Sequence, residues 1–92
     1  MLVVISYDVK DDKRRNRIAR TLLNYGSRVQ YSVFEVNVGQ RDLERLRKAL
    51  AKHINAEADS IRFYYLCDAC YNRVEVMGRG KPVEPEDEVY IV

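Results

Sequence analysis

The stretch Leu2-Val3-Val4-Ile5-Ser6-Tyr7-Asp8 is apolar at nearly every position until it closes on a carboxylate. A strand that does not alternate polar with apolar residues is covered on both faces, so this run reads as a central strand rather than an edge. Asp8 then stands at the strand's exit, at the rim of the core. Position alone leaves two roles open for it. It can cap the following helix, as Asx residues do at strand-to-helix turns. Alternatively it can hold a hard cation such as Mg²⁺, which takes a few protein oxygens and completes its shell with water and phosphate.

Working outward, the sequence predicts a helix over residues 12–25 that stops at Gly26-Ser27, where a left-handed C′ glycine is expected. Residues 28–38 are β-rich. They lack an Asn-Gly or Gly-Gly turn, so they form either two strands broken at Tyr31-Ser32 or one kinked strand. A second helix follows over 41–54, with Leu43, Leu46, Leu50 and Ile54 on one stripe. Strands are expected over 60–67, 73–77 and 88–92, the last reached through an extended arm, 78–87, rich in glycine, proline and acids. Two helices interleaved with strands predict an α/β (α+β) fold, a ferredoxin-like sandwich with an antiparallel sheet and two helices on one face. The domain spans 1–77, with 78–92 as arm and terminal strand. Helices cover one face only, so the apolar residues on the other face of the first strand call for a second protomer. A chain of 92 residues also has a modest core, and a homodimer is expected.

The net charge of +2 hides an uneven distribution. Residues 82–92 carry Glu84, Glu86, Asp87 and Glu88 with no base, which leaves sixteen bases against ten acids in residues 1–81. Seven bases against two acids fall between Lys10 and Arg28. Such clustering is the footprint of a polyanionic partner, although solvated basic helix faces look the same by charge alone. On a helical wheel Ile18, Ala19, Leu22, Leu23 and Tyr25 share a face with Arg15 in its middle. Arg14 lies at the edge of that stripe, and Arg17 and Arg20 fall outside it. An inward arginine needs an anion, and Asp8 or a bound phosphate at the helix N-terminus can supply one.

Other residues carry weaker signals. The single histidine, His53, flanks the second helix's stripe and reads as a helix-end surface residue. Cys67 and Cys70 lack the further ligands a zinc site requires and read as small hydrophobes at a strand end; a redox role needs a lowered thiol pKa, which Asp68 opposes. Two cysteines suit a reducing compartment. Tyr64, Tyr65 and Tyr71 can stack on bases, but along a strand they more often pack. The opening lacks a basic leader and a small-residue cleavage site, and no run reaches membrane-spanning length, so a cytoplasmic protein without a membrane partner is expected.

Four segments together resemble a known family: Tyr7-Asp8, Arg14-Arg15-Asn16-Arg17, Arg28-Val29-Gln30-Tyr31-Ser32-Val33-Phe34-Glu35, and Cys67-Asp68-Ala69-Cys70 followed by Val74-Glu75-Val76-Met77-Gly78. The chain is similar in this order to the smaller of the two core CRISPR adaptation proteins, labelled CRISPR-associated endoribonucleases. The resemblance implies a prokaryotic, cytoplasmic homodimer of ferredoxin-like protomers with facing sheets and a last strand that crosses to the partner. It implies Asp8 as the Mg²⁺ ligand, brought near its symmetry mate, with Tyr7, Arg15, Arg17, Arg28, Ser32 and Phe34 grouped around it. Its nucleic-acid-binding bases would be Arg14, Arg15, Arg17 and Arg20. Two activities remain open: a metal-dependent endonuclease acting on RNA or DNA in antiviral defence, or a non-catalytic DNA-binding scaffold that bridges copies of the CRISPR integrase.

Overall fold

The computed structural model describes residues 1–80. Its elements are β1 (Leu2–Asp8), α1 (Asp12–Leu23), β2 (Ser27–Gln30), β3 (Val33–Asn37), α2 (Gln40–Ala51), β4 (Ser60–Leu66) and α3 (Asp68–Tyr71). Among the described residues the strands form one sheet in the order β2-β3-β1-β4, every neighbouring pair antiparallel. β1 is thus interior, as its unbroken apolar run requires, and the ferredoxin-like α+β architecture is the one expected.

Register decides which residues meet. Ile5 lies opposite Phe34 on β3 and Phe63 on β4, and Val3 opposite Val36. These residues share the face covered by Ile18, Ala19 and Leu22 of α1 and by Leu43, Leu46 and Leu50 of α2. Each fully buried aliphatic or aromatic side chain of this core contributes about 1.5–3 kcal/mol. The alternate residues, Val4, Ser6 and Asp8 with Val33, Glu35, Ser60, Arg62 and Tyr64, occupy the opposite face. Burial among them pushes the Glu35 carboxyl up from its ordinary value.

Helix α1 starts on Asp11, whose carboxylate accepts the Arg14 N–H at 2.9 Å. The capping role open to Asp8 therefore belongs to Asp11, and Asp8 is not used that way. At the other end the helix closes at Leu23 on Asn24 in right-handed conformation, without the left-handed glycine expected at Gly26. Gly26 answers a different need. A Cβ there would sit 2.2 Å from the Glu35 carbonyl oxygen and 2.9 Å from the Val36 Cα, so the chain after α1 presses directly on the β3 backbone. Gly26→Ala is expected to cost about 2 kcal/mol through this overpacking, measured as a lower urea midpoint.

Residues 28–38 do split at Tyr31-Ser32, with a bulge between Arg28 and Gln30. Three expectations are corrected. Leu23 is 56% exposed and not part of the apolar face, because the helix ends there. Ile54 lies beyond α2, which ends at Ala51. Residues 73–77 form no strand: the chain turns through α3, Arg73 N–H bonds back to the Cys70 carbonyl at 3.0 Å, and Val76 and Met77 are exposed. The expected strand over 88–92 and the arm beyond Gly80 lie outside the described residues.

Candidate active site

Asp8 is the last residue of β1 and is exposed on the helix-free face of the sheet. It faces Ser60 across β4, while Ser6, two residues earlier, faces Arg62. Ser6, Tyr7, Asp8, Ser60, Arg62 and Tyr64 border a shallow, open hollow of about 240 Å³. Arg62 stands diagonally across from Asp8, and its guanidinium donates to the Tyr64 hydroxyl at 3.5 Å. No ion pair engages the Asp8 carboxylate among the described residues. A free carboxylate, two hydroxyls and a guanidinium on one open surface suit a hard cation carrying a phosphate group.

Support for this rim comes from below. The Tyr7 N–H donates to the Ser32 carbonyl at 3.1 Å, tying the β2-β3 turn to the exit of β1. The side chains of Tyr7 and Phe34 are buried at 5% and 0% exposure on the helix side, with ring centroids 6.2 Å apart. Arg28 lays its guanidinium 5.2 Å from the Phe34 ring centre. Phe34 is therefore core beneath the site, on the face opposite Asp8, and Tyr7 reaches the hollow only at its edge.

The arginines divide differently from the helical-wheel reading. Arg15 is only half-buried and its partners are local: it donates to the Val9 carbonyl at 3.1 Å and the Lys10 carbonyl at 3.4 Å, and its anion is the exposed Asp12. It straps the loop between β1 and α1, and Asp8 is not its partner. Arg14, read as an edge residue and a nucleic-acid contact, instead makes a two-pronged bond to Asp59, Nε at 2.8 Å and Nη2 at 3.0 Å. The Asp59 side chain is inaccessible to solvent and also accepts the Asn55 N–H at 2.9 Å. Arg17 and Arg20 remain exposed along α1.

The Arg14 guanidinium, aided by the Asn55 N–H, holds the Asp59 carboxyl below its ordinary value. A depressed folded-state pKa contributes stability above the unfolded value, about 3.9, and loses it as pH falls through the folded one. Asp59→Asn is expected to lower Tm at pH 7 by roughly 5–10 °C, and the difference from wild type is expected to shrink as pH falls through the depressed folded-state value, as read by thermal melts from pH 7 downward.

Sequence reasoning missed Asp59, Ser60 and Arg62. The signal for Ser60 and Arg62 lies in strand alternation, since they share one face with Tyr64 once β4 is set beside β1, whereas Asp59 precedes the strand and carries no such signal.

A ferredoxin-like protomer that exposes one strand-end acid on an uncovered sheet face, beside a basic first helix, is the class these observations define. The CRISPR associated protein Cas2 family matches residues 1–74, and the chain belongs to that family. It is 40% identical over 93 residues, and the full length of both chains, to CRISPR-associated endoribonuclease Cas2 1 of Chloroflexus aurantiacus. In structure it is similar to Cas2 of Streptococcus pyogenes, at 37% identity, TM-score 0.74, covering 85% of this chain and all of that one. A chain of a partial Cas6-RT-Cas1–Cas2 complex also matches, at 36% identity and TM-score 0.63, over 83% of this chain and 89% of that one.

Among the described residues no helix is long and apolar enough to cross a membrane, and no three acidic, histidine or cysteine side chains gather as a metal-binding group. The oxygen donors beside Asp8 are of the right chemistry for Mg²⁺ but supply one carboxylate per chain.

Proposed function

We propose that the protein serves CRISPR adaptation as a homodimer with Mg²⁺-dependent endonuclease activity, Asp8 being the metal ligand. Asp8, exposed and without an ion pair among the described residues, beside Ser6, Ser60 and Arg62, carries this reading. One carboxylate is a poor anchor for a divalent ion, and a second copy meeting the first across the helix-free sheet face would supply another. Val4, Val33 and Tyr64 on that face favour such pairing. When bound, Mg²⁺ supplies charge neutralisation at the scissile phosphate and a more acidic water. Arg62 would hold a phosphate oxygen while Arg17 and Arg20 draw in the strand electrostatically. The relatives' label as endoribonucleases favours RNA as substrate. The similarity to a chain of a Cas1–Cas2 assembly favours a CRISPR integrase as partner.

The test is cleavage of single-stranded RNA and of duplex DNA by the purified protein with Mg²⁺ and with chelator, alongside its mass in solution. Mg²⁺-dependent products from a dimer support the proposal; a dimer that binds nucleic acid without cleaving it leaves the scaffold reading, which the exposed Arg17 and Arg20 also suit. Binding separates the arginines in either case. Arg17→Ala and Arg20→Ala should each reduce the slope of log Kd against log salt by about 1, whereas Arg14→Ala should leave that slope alone and lower Tm instead. Unchanged slopes for Arg17 and Arg20 would place the nucleic acid elsewhere.

A further inference from the structure

Cys67 and Cys70 are both exposed, contrary to their reading as packed hydrophobes. The Tyr71 N–H donates to the Cys67 carbonyl at 2.8 Å and the Asn72 N–H to the Asp68 carbonyl at 3.1 Å, so Cys67 caps the single helical turn on which Cys70 lies. Residues three apart on a helical turn share a face with Cβ atoms roughly 5–6 Å apart, beyond the roughly 3.5–4.5 Å of a disulfide, so bond formation requires the turn to tighten at Cys67, the extended cap residue.

We infer that Cys67 and Cys70 form a reversible dithiol–disulfide site that reacts with low-molecular-weight disulfides. Cys67 is the attacking group. The Cys70 N–H, the Cys70 thiol and the Ala69 N–H stabilise its thiolate, which lowers its pKa from the ordinary value, while the same contact raises that of Cys70. The adjacent Asp68 does not reverse this. In the first step the Cys67 thiolate attacks one sulfur of RSSR, the S–S bond breaks, and RS⁻ leaves to take up a proton. The Cys70 thiol then gives up its proton and attacks the Cys67 sulfur of the mixed disulfide, expelling the second RS⁻. Two protein thiols are oxidised by two electrons, and RSSR is reduced to two RSH. This chemistry needs nothing from Asp8, and α3 follows directly on β4, so oxidation would staple the turn that follows this strand.

The full chain is titrated with oxidised glutathione and followed by intact mass and free-thiol count. Wild type should pass from two thiols to none with loss of two hydrogens and no retained glutathione. Cys70→Ser should stop at a stable glutathione adduct on Cys67, and Cys67→Ser should react at least about fivefold more slowly, because the Cys70 and Ala69 N–H groups that stabilise a thiolate serve position 67 and not Cys70. Melting curves confirm that both exposed serine variants fold. Stable adducts on both cysteines of the wild type, disulfide-linked pairs of chains, or equal rates in the two variants would overturn the inference.

Discussion

Asp8→Asn should reduce Mg²⁺-dependent cleavage at least about a hundredfold while leaving Tm and nucleic-acid binding close to wild type. Asparagine keeps the size and one carbonyl oxygen of aspartate but removes the charge a hard cation requires. The fold should not notice, because Asp8 is exposed, caps no helix and joins no ion pair among the described residues. Substitutions at such positions change stability by less than about 0.5 kcal/mol. Binding should hold or tighten slightly, since a negative charge leaves a surface that meets phosphates. The readout is the initial rate of RNA cleavage at several Mg²⁺ concentrations, with circular dichroism on the same samples. Cleavage by Asp8→Asn equal to wild type would sink Asp8 as metal ligand, and the activity would then belong to another group or to a contaminant.

Asp8's position was legible because it ends a nearly continuous apolar run, which implies both the strand's central place and the rim position of its final residue. The second helix was equally plain, Leu43, Leu46 and Leu50 being spaced for one buried stripe. The arginines were not. A wheel gives the direction of a Cβ, but a long side chain in the first turn bends toward whichever acceptor tertiary structure brings near. For Arg14 that acceptor is Asp59, forty-five residues away in a loop no periodicity marks. Arg15 settles on the carbonyls of Val9 and Lys10. Arg62 escaped notice because its proximity to Asp8 depends on the β1-β4 register, which is set by pairing and not by either strand alone. The segment 73–77 has the composition of a strand, but β character describes side chains that fit a pleated, half-buried surface. Val76 and Met77 find no such surface among the described residues, and composition cannot supply one.

The resemblance groups Phe34 with Asp8, and the fold gives a specific way to separate proximity from participation. Phe34 is wholly buried between the sheet and the helices, stacked near Tyr7 and under the Arg28 guanidinium. Phe34→Ala should therefore cost about 3–5 kcal/mol, a large share of the 5–15 kcal/mol that holds a domain folded. Much of the protein would lose cleavage simply by unfolding. Phe34→Leu refills most of the volume and should cost roughly 1–2 kcal/mol, leaving a folded chain. Under folding conditions its cleavage rate per folded molecule should match wild type, because the ring lies on the face of the sheet opposite Asp8 and is wholly buried. Urea unfolding followed by fluorescence gives the stability change, and single-turnover cleavage of RNA gives the rate. A fully folded Phe34→Leu protein with cleavage lowered tenfold or more would mean that the ring contacts the nucleic acid or sets the position of Asp8. In that case the support that Tyr7, Phe34 and Ser32 lend to the β1 exit would be a determinant of the chemistry itself, beyond its contribution to the core.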